Sequence, residues 1–209
     1  MIIPSSPKRP EERTERGCIR SIIQDDFYPG LEVQGVSPRH YFKQHYHQWD
    51  EYSKRILYAK EKSRDESDFF KPYVESCINN FKVEMMLSKI DWITPIPNSH
   101  NWYYPTMIGV ANIISAQLGK PKPGMLFQRI RGPISTDRGR EERYKALHGK
   151  FICHPTIPQG KSILLVDDIR TSGISVLECA EVLFKGGAKA VTAFALGTNT
   201  SNPPIVRAP

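Results

Sequence analysis

Long apolar runs are missing from this 209-residue chain. That excludes a helical membrane span, which needs about 18–20 consecutive apolar residues. An apolar leader is missing too, because Pro4, Pro7 and Lys8 interrupt the amino terminus before a secretory core can form. Cysteine is scarce. Cys18, Cys77, Cys153 and Cys179 are widely spaced, with no Cys-x-x-Cys. Neither a zinc ribbon nor a disulfide framework is signalled, and a reducing cytoplasm is the expected compartment. Cys77 and Cys179 fall in helical apolar patterns and are expected to be buried. No Gly-x-Gly-x-x-Gly occurs, which removes the Rossmann fingerprint. No Ser/His/Asp or Cys/His nucleophile signature stands out, and no internal repeat is visible. His40, His45 and His47 are neighbours, but their spacing matches no metal geometry. Acidic charge is in deficit: 29 Lys and Arg against 22 Asp and Glu leave a net charge of +7. The balance favours anionic partners without separating nucleic acid from phosphorylated small molecules.

What is present reads as an α/β chain. Residues 1–45 carry Pro4, Pro7, Pro10 and a mixed-charge run, with short strands expected around Ile22 and Val33 on either side of Pro29-Gly30. They are expected to form an arm or hood. Residues 46–197 are expected to form the core domain, and 198–209 a tail. Trp49, Tyr52, Ile56, Leu57 and Lys60 follow helical spacing. A second helix carries Phe70, Tyr73, Val74, Cys77, Ile78 and Phe81 as one stripe, with Asp65, Ser67 and Asp68 as caps and Pro72 expected in the first turn. Asp91–Pro97 predicts a short strand, Thr106–Leu118 a helix stopped by Gly119, and Gly124–Phe127 another strand. Ile163–Val166 is a buried strand, Leu177–Phe184 a helix ended by Gly186-Gly187, and Ala190–Leu196 a further strand. Uniformly apolar strands alternating with helices predict an open, doubly wound, mainly parallel sheet of Rossmann-like type, with an amino-terminal helical or hood elaboration. Ligands in such sheets bind at the carboxyl ends of the strands.

The most informative stretch begins at that buried strand. Asp167 and Asp168 follow Ile163–Val166, then Ile169, Arg170, Thr171, Ser172, Gly173, Ile174 and Ser175 lead into a helix. Backbone N–H groups of Arg170 to Ser175, aided by the helix amino terminus, can converge on a phosphate. The hydroxyls of Thr171, Ser172 and Ser175 add donors, and Gly173 lets the backbone approach closely. Two carboxylates facing a phosphate would repel it. Accepting hydrogen bonds from sugar hydroxyls nearby, they suit a ribose 5-phosphate. The turn carries no Gly-Lys-Ser/Thr and is not a Walker loop.

Residues 163–175 closely resemble the phosphoribosyl diphosphate (PRPP) signature of type I phosphoribosyltransferases. The resemblance extends toward the ComF-like phosphoribosyltransferase group through Tyr52–Lys62, Asp91–Pro97 and Arg143–Phe151. Two departures stand out. The cysteine-rich zinc segment common at the ComF amino terminus is missing, and Asn101–Pro105 replaces an Arg-Gly-Phe-Asn type element. The resemblance implies a type I phosphoribosyltransferase-like fold and PRPP bound as its Mg2+ complex. Asp167 and Asp168 would hold the ribose hydroxyls, directly or through hydrated Mg2+. Phosphoribose would pass to a nitrogen acceptor with release of diphosphate.

The resemblance also implies a diphosphate loop at Pro97, Asn98, Ser99 and His100. It implies a flexible catalytic flap at 129–150, where seven basic residues face three acidic ones. Arg138, Arg140 and Arg143 are its catalytic candidates beside Asp167 and Asp168. A nucleobase hood would come from 19–45 or 198–209, with Tyr28, Tyr41, Phe42, Trp102, Tyr103 and Tyr104 as stacking candidates. A homodimer is what type I relatives commonly form. Two other readings stay open: a non-catalytic PRPP- or nucleotide-sensing module, and a nucleic-acid-associated effector of a bacterial defence or DNA-uptake assembly.

Overall fold

The four apolar residues at 163–166 build the middle of the protein. A computed structural model describes residues 13–15, 18–41, 50–83, 85–98, 103–121, 124–130, 140–153 and 159–199. Along the chain run β1 (Arg13–Glu15), β2 (Cys18–Ile23), β3 (Val33–Ser37), β4 (Arg39–Tyr41), α1 (Glu51–Lys62), α2 (Ser67–Phe81) and β5 (Trp92–Pro95). They are followed by α3 (Pro105–Leu118), β6 (Phe127–Arg129), α4 (Arg140–Leu147), β7 (Phe151–Cys153), β8 (Ser162–Arg170), α5 (Ile174–Lys185) and β9 (Ala190–Asn199). The main sheet has the order β1-β2-β3-β9-β8-β5. Pairs β3–β9, β9–β8 and β8–β5 are parallel, and β1–β2–β3 is antiparallel. β4 continues along β9 past the end of β3, the break falling at Pro38, which has no N–H to donate. The class is α/β, with helices on both faces of an open, mainly parallel sheet.

Strand periodicity explains the two cores. Ile163 and Leu165 point into a cluster with α5, while Leu164 and Val166 point into one with α1, α2 and α3. All four are fully buried. Helix boundaries follow local chemistry. The Asp50 carboxylate accepts the Ser53 N–H at 2.7 Å and starts α1. Gly119, at φ +64°, ends α3. Cys18, Cys77 and Cys179 are buried, Cys153 is half-buried, and all are free thiols. Among the described residues no helix is long and apolar enough to cross a membrane.

The short strands expected around Ile22 and Val33 form as β2 and β3, and they join the main sheet. Several expectations need correction. Pro72 lies in the second turn of α2, on an exposed face of the helix. The strand expected at 124–127 starts at Phe127 and pairs with β7 in a separate two-stranded sheet. The expected flap is helical over Arg140–Leu147. The last strand extends to Asn199, into the expected tail, because β4 supplies it with a partner.

The amino-terminal hairpin packs against the turn that opens α5. Gly173 has φ +80°, and a Cβ there would lie 2.4 Å from Ile23 Cγ2. Gly173→Ala should therefore cost about 1–3 kcal/mol, from backbone strain and collision together. Measured by urea unfolding, the Ile23→Ala Gly173→Ala pair should be less than additive, because the colliding methyl is gone. Full additivity would show that the hairpin does not seat on this turn.

Candidate functional site

β5 stops at Pro95, opposite Val166, and the Ile96 N–H makes a last bond to the Val166 carbonyl. β8 runs on alone on that side. The Asp168 N–H donates to Asp167 Oδ1 at 2.9 Å, and the Ile169 N–H to Asp168 Oδ1 at 2.6 Å. The strand's alternation then separates the two acids. Asp167 turns to the α5 side and lines a pocket; Asp168 turns to the α1 side. The two carboxyls remain close enough to act on each other's ionisation.

The pocket on the Asp167 side is lined by Arg143, Asp167, Ile169 and Arg170 to Ser175. Every residue of the expected phosphate loop is therefore in one place. Thr171 to Gly173 form a bend, and Ile174 begins α5, so the first-turn N–H groups of the helix face the loop. The Ser172 hydroxyl is buried and makes no hydrogen bond among the described residues. Buried hydroxyls are almost always partnered, so this one is free to bond an oxygen, from water or a ligand, in the pocket. The Arg143 guanidinium donates to Thr171 Oγ1 at 2.5 Å. Arg170, the last residue of β8, reaches Thr198 Oγ1 at 3.3 Å.

Asp168 meets a residue that sequence reasoning passed over. Lys60 of α1 places its ammonium 2.5 Å from Asp168 Oδ2. This pairing holds the Asp168 carboxyl below its ordinary range against the desolvation that would raise it. It likewise raises Lys60. Asp167 goes the other way. Burial, then the charge of Asp168, push it up to about 7. Lys60 stood in the helical apolar pattern of α1, the only signal available. Tyr104 is buried beneath the acids, its ionisation pushed up by burial and then by Asp168 and Asp167.

Other candidates are dispersed. Arg140 is not at the pocket; it pairs with Asp25 at 2.6 Å and Asp26 at 3.2 Å. Pro97 and Asn98 follow β5 at the same carboxyl edge as the acids but do not line the pocket. Ser99, His100 and Arg138 lie outside the described residues, as do Phe42, His45, His47 and Trp102. The stacking candidates that are described belong to the protein's interior. Tyr28 donates to Glu178 at 2.5 Å, Tyr103 to the Phe127 carbonyl at 2.5 Å, and Tyr41 is buried.

No family model matches the chain, and no curated protein matches it. Among solved structures it is similar to "the allosteric regulatory enzyme of purine biosynthesis", at 20% identity and a TM-score of 0.37, over 58% of this chain and 26% of that one. It is also similar to adenine phosphoribosyltransferase, at 14% identity and a TM-score of 0.43, over 87% of this chain and 85% of that one. The chain thus spans about a quarter of the length of the first.

The raised Asp167 has a consequence for stability. The native protein holds that proton more tightly than the unfolded chain does. Stability should therefore fall as pH rises from the ordinary value of 3.8 toward about 7. The depressed Asp168 acts below that window and with the opposite sign. Urea unfolding of wild type and Asp167→Asn across pH 4–7 should show the decline in wild type only. Parallel curves for the two proteins would mean that Asp167 titrates normally.

Proposed function

We propose that this chain is a phosphoribosyltransferase-type protein. It binds PRPP at the carboxyl end of β8 and passes phosphoribose to a nitrogen nucleophile with release of diphosphate. One observation carries the reading. A single pocket gathers a carboxyl, a hydroxyl-rich turn, a helix amino terminus and an arginine, and includes the unpartnered buried hydroxyl of Ser172. Those groups suit a sugar hydroxyl and a phosphate held side by side.

In this reading the 5-phosphate lies in the turn from Thr171 to Ser175, among backbone N–H groups and hydroxyls. Arg143 supplies the fixed positive charge beside it. The ribose lies across the end of β8, with a hydroxyl toward each of Asp167 and Asp168. Loss of diphosphate builds positive character at C1, and the adjacent carboxylates favour it electrostatically. The diphosphate would lie along Pro97 and Asn98 and the residues after them. No protein nucleophile is needed, because positioning lets an incoming nitrogen attack the opposite face of C1.

Mg2+ fits the donor chemistry, since Asp167 and Asp168 offer hard oxygen ligands. Lys60 already neutralises Asp168, so these residues would hold the ion through water and the phosphate oxygens of PRPP. When bound, Mg2+ supplies charge neutralisation of the diphosphate. Both described arginines of the flap helix are engaged within the protein: Arg143 bonds to Thr171, and Arg140 pairs with Asp25 and Asp26, while the exposed Lys145 pairs with Glu141 on its own helix. That favours a small anionic ligand over a nucleic-acid surface built on these arginines.

Calorimetric titration tests the proposal. PRPP with Mg2+ should give saturable heat at concentrations up to about 1 mM. The Asp167→Asn Asp168→Asn variant should weaken binding at least about tenfold and abolish diphosphate release in the presence of an acceptor. Absence of heat from the wild type at that concentration would sink the reading.

A further inference from the structure

We infer that the loop from Asp25 to Tyr28 straps α4 in place, and that Asp25 and Arg140 are positioning residues acting on the phosphate pocket through Arg143. The inference rests on the PRPP-binding reading for its effect on ligand affinity. The strap itself stands on geometry alone.

α4 has eight residues, of which only Ala146 and Leu147 are buried. A helix this short is unstable by itself in water and depends on tertiary contacts. Its buried residues lie at the carboxyl end, leaving the first turn to be held by something else. The loop provides that hold. Asp25, whose side chain is 4% exposed, accepts two hydrogen bonds from Arg140, at 2.6 Å and 2.8 Å. This is the bidentate geometry that fixes a guanidinium in direction as well as distance. Asp26 adds a third contact at 3.2 Å. Both acids also lie near the amino terminus of α4, where the helix dipole favours negative charge.

Aromatic contacts continue the strap. Phe27 stacks on Tyr144, with ring centres 4.4 Å apart and planes 9° from parallel. Tyr28 then donates to the buried carboxylate of Glu178 on α5, whose other oxygen accepts the Gly149 N–H just beyond α4 at 2.6 Å. Arg140 and Tyr144 are four residues apart and share one face of the helix. Arg143 projects from the neighbouring face and reaches Thr171 in the pocket. With the strap in place, Arg143 is presented to the phosphate turn from a fixed base. Without it, the first turn of α4 frays, and the arginine must be ordered again each time a ligand binds.

The test pairs hydrogen exchange with a binding cycle. In Asp25→Asn, which keeps the side chain's size, amides of residues 140–147 should exchange about tenfold faster without ligand. Tyr144→Leu, which removes the stack, should do the same. PRPP affinity by calorimetry should fall about tenfold in Asp25→Asn, and under about twofold when Asp25→Asn is added to Arg143→Ala. Unchanged exchange in α4 would overturn the strap. Equal loss of affinity with and without Arg143 would overturn the route through that residue. If the wild type does not bind PRPP at all, the functional reading fails, and the exchange rates alone decide the strap.

Discussion

Burial of β8 on both faces is the constraint on which the rest depends. A strand packed on two sides must alternate its side chains between two cores, and the alternation does not stop where the apolar residues stop. It carries on to Asp167, which lines the pocket, and Asp168, which meets Lys60 of α1, with the two carboxyls still acting on each other. β5 ends opposite Val166, so the acids sit where the sheet has lost a neighbour and opens to a ligand. Carboxyl ends of parallel strands are common ligand sites for this reason: the chain must leave the sheet there, and a helix must begin.

The two acids differ in charge. Lys60 holds Asp168 ionised. Asp167, which shares the pocket with the Thr171–Gly173 turn, is pushed toward neutrality by burial and then by the charge of Asp168. The Lys60 side chain is 42% exposed and the Asp168 side chain 11%, so the ammonium covers the carboxylate from the solvent side.

The parts legible in the sequence were those set by local pattern. The four apolar residues before Asp167 could only be a buried strand. The Thr-Ser-Gly turn could only lead out of it, and the glycines after α3 and α5 marked where those helices stop. All of the loop from Arg170 to Ser175 lies in the pocket as the pattern required. What was not legible depended on pairing between distant segments. Arg140 and Arg143 are three residues apart in one basic stretch, and composition gives both the same role. Only the position of Asp25, more than a hundred residues earlier, separates them. Lys60 carried the same limitation, because a lysine on an amphipathic helix has no local sign of meeting an acid. Density of charge and of glycine suggested a loop at 129–150, yet α4 forms there because its faces find partners elsewhere.

The amino-terminal segment shows how far that dependence reaches. Without a motif of its own, it reads from sequence only as an arm or hood, and its described residues pack behind the Thr171–Gly173 turn. Ile23 fills the space beside Gly173, where a side chain on the turn would collide. Glu178, a carboxylate only 1% exposed on the first half of α5, accepts from the Tyr28 hydroxyl and the Gly149 N–H and has His148 Nδ1 at 3.3 Å. A buried carboxylate is tolerable only when its oxygens are matched by partners. One partner comes from the amino-terminal loop and two from the residues just after α4, so the position of α5 is tied to both. The Thr171–Gly173 turn lies between β8 and α5, and its shape follows from where that helix is held. The residues that hold the turn in shape are scattered along the chain, recognisable only once β3 pairs with β9 and brings the β2–β3 hairpin into the sheet.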